Sequence, residues 1–500
     1  MTYQSGSALY FVFLVLLASS CVFSACSGEE KQPELHPFIG YWAQYYEPNR
    51  PDVWSLRKFS FDKRGHLYCT EVELGTQARI WSEPIKARWT DTCLVWDRLR
   101  AIVSGDDSTM QMIYTSRYGQ VVPIHLKRTE DPEYVKILEN AEAAVGHKAA
   151  YQKPPDTGDG LETMGAKRAG LDSLKIQALF RKINKGRFGD IHSILVMKNG
   201  KLIVEEYFRA DGKICGPYIR ETYRDRIGEV ASVTKSFTSA LYGIAIREGY
   251  IDSINEPVFA LFPEYPELQT EENSGVQIRH LLSMSSGLAW NENSIPIGHP
   301  KNDVQRMAGS DDLIQYCLSK DMAHPPGEKF IYSSGSSMIL GEILKKKTGM
   351  GADLFAKKFL FDPLGITDYY WPRFDSMVIN TAGGLSVRPR DLAKFGQMYL
   401  NLGKWQGKQV VPASWVATST SNHIPTLGHG YGYQWWRRAF RVKGQYLECY
   451  YAIGMNGKFI MVFPEHELVF VSTAQNLEHK FSKLFNKMME TYLLPAVLCK

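Results

Sequence analysis

Short runs in which apolar and polar residues alternate fill residues 37–128. Examples are "VWSLRKFSF" and "MQMIYTS", and turn-forming groups such as "DKRG" and "SGDDS" separate the runs. Alternation with a period of two is the pattern of a half-buried strand, and many short strands at this spacing are typical of antiparallel barrels and sandwiches. The sequence therefore predicts a small all-β barrel or sandwich module here, of unknown function.

The pattern changes after this module. Residues 129–164 predict a polar helical segment and then a linker, because "YQKPPDTGDGLETMGAKRAG" is rich in Pro, Gly and charge. In residues 165–500, a helical pattern and a hairpin around Asn199-Gly200 come first, a long helix-and-loop section follows, and strand patterns return in "QYLECYYAIGMNGKFIMVFPEHELVFVSTA". Strands at both ends with helices between them predict an α+β domain whose terminal segments share one antiparallel sheet.

The first 26 residues contain "SALYFVFLVLLASSCVFSAC", an apolar run that is short and interrupted for a membrane span and ends in small residues. This pattern predicts an export signal. Cys26, between "FSA" and "SGEEK", resembles a bacterial lipoprotein processing site, which implies lipidation of that cysteine and a tether over residues 27–36. Cys21 is a second candidate, and the alternative is a signal that is either uncleaved or simply cleaved. We therefore expect an exported protein of the bacterial cell envelope, held at a membrane by its N-terminal lipid.

Composition narrows the function classes. The chain has 500 residues, 44% of them hydrophobic, and a net charge of +5 without a long basic run, so it is globular and gives no reason to expect a nucleic-acid partner. No Cys-x-x-Cys pair or Cys/His cluster has metal-ligand spacing, so we expect no metal and no other cofactor. Cys69 and Cys93 are candidates for a disulfide within the β module.

The spacing Ser-x-x-Lys occurs three times. At residues 55–58 and 60–63 it lies in alternating patterns, and residues three apart on a strand face opposite sides. Ser232 and Lys235 instead open a helical pattern that Gly249 would end, and positions i and i+3 of a helix share a face. The third pair can therefore place an amine beneath a hydroxyl.

A serine hydroxyl becomes a good nucleophile only when another group removes its proton. A buried lysine can take part in that transfer, and the start of a helix adds free N–H groups and a partial positive charge that favour an anion. From the residues alone, an ordinary helix cap followed by a surface lysine remains the alternative for Ser232 and Lys235.

Five further blocks follow in order: "RHLLSMSSGL", "PGEKFIYSSG", "DPLGI", "GGLSVRPRDLAKFG" and "AIGMNGKF". Together with the Ser-x-x-Lys helix, this series resembles the β-lactamase-related serine hydrolases, which include class C β-lactamases, D-alanyl-D-alanine carboxypeptidases, esterases and aminohexanoate-oligomer hydrolases. The resemblance covers residues 165 to 490 and implies a β-lactamase/transpeptidase-like domain. The "YSSG" and "GLAWNE" variants are most similar to the esterase and oligomer-hydrolase branch.

The resemblance also implies roles for single residues. Ser232 would be the acylated nucleophile, Lys235 its proton partner, and Tyr332 the second proton-transfer group. The oxyanion hole would be formed by the backbone N–H groups of Ser232 and Lys458.

Two positions depart from the family pattern. Ser334 stands where the family often has an asparagine that contacts substrate, so we expect it to contact substrate. Met455-Asn456-Gly457 replaces the usual Lys-Thr-Gly or His-x-Gly, and the loss of a cation argues against substrates that carry a carboxylate, such as β-lactams and peptidoglycan stems. Asn456 and Gly457 remain expected substrate contacts, with Gly457 on a strand pressed against the ligand.

The sequence thus predicts a serine hydrolase that cleaves a small-molecule or peptide-like ester or amide through an acyl-enzyme on Ser232. The alternative is a non-hydrolytic envelope protein, either a penicillin or peptide sensor that is acylated without turnover or a binding lipoprotein. The oligomeric state and the natural substrate are not indicated.

Overall fold

A computed structural model describes residues 151–208, 224–296, 298–374, 378–426, 429–476 and 481–498, and between residues 40 and 130 mainly the backbone of nine strands. The predicted signal, Cys21 and Cys26, the tether and the helical segment within residues 131–150 lie outside the described residues, as do the side chains of Cys69 and Cys93. In the described part, no helix is both long and apolar enough to cross a membrane.

Nine strands form one antiparallel sheet in the N-terminal region. Their bounds are β1 Gly40–Tyr45, β2 Val53–Phe61, β3 Leu67–Glu73, β4 Glu83–Pro84, β5 Arg88–Trp89, β6 Cys93–Trp96, β7 Leu99–Val103, β8 Thr109–Thr115 and β9 Val121–Arg128. The order in the sheet is β4-β3-β2-β1-β9-β8-β7-β6-β5. The strands agree with the alternating pattern of the sequence, whereas the domain boundaries and the choice between barrel and sandwich stay predictions.

A second antiparallel sheet has eight strands in the order β11-β10-β23-β22-β21-β20-β19-β18. Its strands are β10 Ile191–Lys198, β11 Lys201–Tyr207, β18 Ile424–Thr426, β19 His429–Tyr431, β20 Trp436–Val442, β21 Gln445–Gly454, β22 Lys458–Phe463 and β23 Leu468–Ala474. The hairpin of β10 and β11 therefore pairs with β23, the last strand in the described residues, which confirms the predicted α+β fold with one shared sheet.

The hairpin turn follows from local chemistry. Asn199 and Gly200 both have positive φ, 50° and 72°, as a two-residue turn with the twist of the flanking strands requires. Along β10, Leu195 and Met197 join one hydrophobic core, and Ile194 and Val196 join another on the opposite face. Because both faces are covered, the strand is buried from Ile191 to Met197, and residues 194–197 form a continuous apolar run rather than an alternating one.

Helices cover both faces of this sheet. The helices of the described residues, some of which pack on other helices instead, are α1 Ser173–Ile183, α2 Thr234–Arg247, α3 Ile278–Leu282, α4 Asp303–Ala308, α5 Leu313–Leu318, α6 Ser334–Thr348, α7 Ala352–Ala356, α8 Asp362–Leu364, α9 Pro389–Leu400, α10 Ala413–Ser419, α11 Phe481–Met488 and α12 Leu494–Val497. Helices α2, α6 and α9 contribute to the larger core, and α1 and the C-terminal helices to the other. The layered arrangement places the start of α2 beside the sheet.

Shorter elements complete the domain. They are the strands β12 Gly228–Glu229, β13 Arg373–Phe374, β14 Val378–Ile379, β15 Ser386–Val387, β16 Lys404–Trp405 and β17 Lys408–Gln409, the 3-10 turns Ala231–Val233, Phe259–Leu261, Pro266–Leu268 and Pro464–His466, and the π-helical turns Lys357–Phe361 and Met489–Leu493. The β12–β15 pair lies directly before the 3-10 turn that contains Ser232.

Part of the segment predicted as a linker packs against this domain. Leu161 is 2% exposed and belongs to the larger core. The guanidinium of Arg390, in α9, donates hydrogen bonds to Asp159 and to the carbonyl of Pro155. Residues 155–161 are therefore packed against the domain that contains the eight-stranded sheet.

Candidate active site

Ser232 lies in the 3-10 turn Ala231–Val233, which leads directly into α2. The preceding residue, Ala231, has a φ of 48°, a left-handed conformation that is uncommon outside glycine. The hydroxyl of Thr234 donates to the carbonyl of Ala231 at 2.6 Å and accepts from the N–H of Leu385 at 3.2 Å. These bonds hold a strained backbone immediately before the candidate nucleophile, and such strain is common at functional sites.

Lys235 lies beneath Ser232, as the helical spacing predicts. Its side chain is 2% exposed, whereas Ser232 is partly exposed. Nζ donates to Ser232 Oγ at 3.2 Å, to the carbonyl of Ala382 at 2.6 Å and to Ser334 Oγ at 3.3 Å. The amine is therefore shielded from solvent and has a polar partner in each direction that a tetrahedral nitrogen offers.

Tyr332 lies at the same place. Lys235 Nζ is 5.0 Å from the centroid of its ring, within the range of a cation–π contact. The ring stacks on Trp436 with centroids 5.9 Å apart, and Trp436 also packs against Tyr431. Burial raises the pKa of Tyr431 well above its usual value, so Tyr431 stays a neutral phenol. Tyr451 packs on Trp436 as well, and of these three tyrosines Tyr332 is the one that also lies against the lysine.

Glu292, the last residue of the "GLAWNE" motif, to which the sequence assigned no role of its own, is joined to this group through Ser334. Its carboxylate accepts from the N–H of Ser334 at 2.7 Å, from Ser334 Oγ at 3.0 Å and from Trp290 Nε1 at 2.6 Å. Ser334 is 8% exposed and is the first residue of α6, where a carboxylate is favoured by the free N–H groups of the helix. The hydroxyl of Ser334 therefore lies between Glu292 and Lys235.

The third predicted motif forms the turn between β21 and β22. Asn456 and Gly457 have φ values of 66° and 99°, so the glycine is required by the turn. The expectation that Gly457 lies on a strand pressed against the ligand is wrong in this respect, because the strand ends at Gly454. Met455 is 52% exposed in this turn. Substrate contacts of Asn456 and Gly457 stay predictions.

Gly454 is the glycine that a close approach requires. A Cβ atom there would lie 2.2 Å from the carbonyl oxygen of Val230 and 3.2 Å from the Cβ of Ala231, so β21 presses directly on the turn before Ser232. Lys458, the predicted second oxyanion donor, begins β22 and pairs with Gly454. Its Nζ donates to the carbonyl of Met455 at 3.3 Å and to Gln475 at 3.2 Å. The oxyanion role of the two backbone N–H groups stays a prediction.

Other reactive groups play no part in this cluster. Among the described residues, no set of three or more His, Cys, Asp or Glu side chains is arranged to hold a metal ion. Cys317 and Cys449 are buried and unpaired, and burial raises the pKa of both thiols, which keeps them protonated and unreactive.

Comparison with known proteins agrees with this geometry. The family model described as Beta-lactamase matches residues 177–484. The chain therefore belongs to the β-lactamase-related serine hydrolase family. Its fold and family are consistent with serine hydrolase activity and favour an enzyme over a non-hydrolytic protein.

Individual relatives are distant. An uncharacterized protein of Alkalihalophilus pseudofirmus is 23% identical over 307 residues, which is 56% of this chain and 82% of the relative. Protein flp of Staphylococcus aureus strain COL is 28% identical over 183 residues, 35% of this chain and only 33% of flp.

One solved structure, a Bacillus anthracis protein provisionally assigned as a 6-aminohexanoate-dimer hydrolase, has a TM-score of 0.50 and 20% identity, covering 60% of this chain and 78% of that chain. At this identity the likeness establishes the fold and nothing further about substrate.

Proposed function

We propose that this protein is a serine hydrolase that cleaves an ester or amide through an acyl-enzyme on Ser232, with Lys235 and Tyr332 as the proton-transfer pair. The observation that carries the proposal is the 3.2 Å contact between Lys235 Nζ and Ser232 Oγ, made by a buried amine beneath a partly exposed hydroxyl. A positioned base of this kind is what turns a serine into a nucleophile.

The proposed reaction has two steps, acylation of Ser232 and hydrolysis of the acyl-enzyme. In the first, Ser232 Oγ bonds to the carbonyl carbon while its proton passes to the Lys235–Tyr332 pair, and the same pair protonates the alcohol or amine as the bond to the carbonyl carbon breaks. In the second, water attacks the acyl-enzyme and gives a proton to the pair, and Ser232 recovers a proton as its ester breaks. Backbone N–H groups of Ser232 and Lys458 are the proposed donors to the oxyanion.

We propose an uncharged acyl group as the preferred substrate. Met455 presents an exposed apolar side chain in the turn where many relatives carry a cation, so a substrate carboxylate would find no countercharge from this position. Trp436 and Tyr332 offer stacked aromatic surface beside Lys235 instead. Ser334, expected to contact substrate, has its hydroxyl engaged by Glu292 and Lys235. Export and lipid attachment through Cys26 remain part of the proposal.

The test uses the purified protein with a fluorophosphonate probe and with p-nitrophenyl butyrate. We expect labelling and turnover in the wild type, and a loss of turnover of at least about 1,000-fold together with loss of labelling in Ser232→Ala. Ser285→Ala is the matched control: this serine belongs to the other serine-rich motif, is buried and bonds to Ser283, and its loss should leave turnover unchanged.

The outcomes separate the candidate functions. Labelling of Ser232 without turnover would support the acylated sensor instead of the hydrolase. Ester turnover that persists in Ser232→Ala would remove Ser232 from the mechanism. Nitrocefin, a β-lactam that carries a carboxylate, should be turned over much more slowly than the butyrate ester if the proposed acyl preference holds.

A further inference from the structure

The nitrogen of Lys235 has partners of two kinds. The carbonyl of Ala382 can only accept a hydrogen bond, so one hydrogen of Nζ is directed to it at 2.6 Å. The hydroxyls of Ser232 and Ser334 could each donate or accept. The direction of these two bonds decides whether the lysine can exchange a proton with the nucleophile.

Glu292 fixes one of those directions. A carboxylate only accepts, so the hydrogen of the Ser334 hydroxyl must point to Glu292 Oε1 at 3.0 Å. The Ser334 oxygen then has only lone pairs to offer to Lys235, and a second hydrogen of Nζ is directed to it. The remaining position on Nζ faces Ser232, as a third hydrogen when the lysine is charged and as the lone pair when it is neutral.

We propose that Glu292 is a positioning residue that acts through Ser334 to direct the one exchangeable position of Lys235 at Ser232. This inference rests on the proposed function, because it concerns the proton transfer that activates Ser232. Without the carboxylate, the Ser334 hydroxyl would be free to donate to a neutral Lys235 and would compete with Ser232 for the lone pair. Glu292 does not touch Ser232 itself.

The surroundings of Glu292 hold it in this orientation. Its second oxygen accepts from Trp290 Nε1 and from the N–H of Ser334. The indole of Trp290 packs so closely on α6 that a Cβ at Gly335 would lie 2.5 Å from it. The carboxylate therefore has a fixed pose with one oxygen on the Ser334 hydroxyl and the other on two N–H groups.

Glu292→Gln tests the direction of the bonds without changing their number. The two N–H donors require the amide oxygen at the position of Oε2, which places the amide NH₂ against Ser334 Oγ and turns the serine hydrogen toward Lys235. We expect kcat for p-nitrophenyl butyrate to fall about tenfold or more, with KM within about twofold of the wild type. Ser334→Ala should cause a similar fall in kcat.

A double-mutant cycle separates this role from a structural one. If Glu292 acts through Ser334, Glu292→Gln has no further effect, within about twofold, when Ser334 is already Ala. A further tenfold loss in the double variant would overturn the inference. So would wild-type kcat in Glu292→Gln, or a rise in KM at unchanged kcat in Ser334→Ala, which would make Ser334 a substrate contact.

A control variant and a second comparison complete the experiment. Asp312 also accepts two backbone N–H groups at the start of a helix and one side-chain donor, Tyr265. Asp312→Asn should therefore lower the melting temperature without lowering kcat. If Glu292→Gln is unfolded at the assay temperature, Ser334→Thr is compared with Ser334→Ala. The hydroxyl of threonine should retain the activity, and equal losses of kcat in the two variants would overturn the inference.

The same assays distinguish a failure of this inference from a failure of the proposed function. Turnover that does not depend on Ser232 would refute the hydrolase mechanism as a whole. Turnover that depends on Ser232 and is unchanged in Glu292→Gln would refute only the positioning role.

Discussion

At the scale of single residues, the site combines a partly exposed hydroxyl with a buried amine. Lys235 is 2% exposed, and an ammonium buried without partners would be costly. Its contacts with the carbonyl of Ala382 and the hydroxyls of Ser232 and Ser334 replace the water that burial removes. The same contacts aim the amine at the nucleophile, so stability and chemistry depend on the same atoms.

The phenol of Tyr332 can be tested apart from its ring. Tyr332→Phe keeps the aromatic surface over Lys235 and against Trp436 and removes only the hydroxyl. Because a positioned acid–base group contributes about 100-fold or more, we expect kcat to fall by that factor with the melting temperature unchanged. Tyr431→Phe, which removes the hydroxyl of another tyrosine packed against Trp436, is the control and should retain activity. Equal kcat in Tyr332→Phe and the wild type would exclude the phenol from catalysis.

At the scale of elements, the site is built where β21 meets the start of α2. Gly454 lets the strand touch Val230 and Ala231, and the pair of β12 and β15 holds the chain just before them. On the other side of Lys235, Gly335 lets Trp290 lie against α6. Because Gly454 and Gly335 have no side chain, β21 can lie close to the turn that contains Ser232, and Trp290 can lie close to α6.

Gly454→Ala should damage the site through this contact. The added methyl group would lie 2.2 Å from a backbone oxygen, which cannot move aside as a flexible side chain could. We expect the free energy of unfolding to fall by about 1–3 kcal/mol. We expect kcat to fall by a larger fraction than the free energy of unfolding does, because the strand transmits the displacement to Ser232.

Gly165→Ala is the matched control for this change. An added Cβ there meets no atom within 4 Å, and its φ is not left-handed, so stability and kcat should stay unchanged. Full activity in Gly454→Ala would show that the close contact has no part in positioning Ser232.

At the scale of the whole molecule, one buried ion pair joins parts of the chain that are distant in sequence. Arg390 in α9 donates to both oxygens of Glu205 in β11, at 2.8 and 3.0 Å, and also bonds to Asp159. The side chains of Arg390 and Glu205 are 3% and 2% exposed. Arg390 therefore connects the segment around Asp159, β11 of the sheet and helix α9 of the larger core.

Arg390→Met should destabilise the protein because it leaves the Glu205 carboxylate buried without its partner. We expect the free energy of unfolding in urea to fall by about 3–5 kcal/mol, and Glu205→Leu in the same chain to recover much of this loss. Lys357→Met removes an exposed ion pair with Asp362 that solvent screens, and it should lower the free energy of unfolding far less. Similar losses in the two single variants would contradict the role of burial.

Local patterns in the sequence were sufficient for much of the fold. The turn at Asn199-Gly200 and the helix that follows Ser232 were both predicted and are present. Each depends on residues within a few positions of one another, through turn conformation or helical spacing. The ordered motifs likewise indicated the family to which the family model assigns residues 177–484.

The sequence by itself determined the elements, the family and the pairing of Ser232 with Lys235, because these depend on short-range periodicity and on motif order. Only the tertiary structure decided which partners surround the amine. Ala382 is 147 positions from Lys235, and Glu292 is 42 from Ser334. No local rule links such residues, since their contact arises when the packing of sheet and helices brings separate loops together. Glu292 and Gly454 belong to motifs visible in the sequence, but their contacts are seen only in the folded chain.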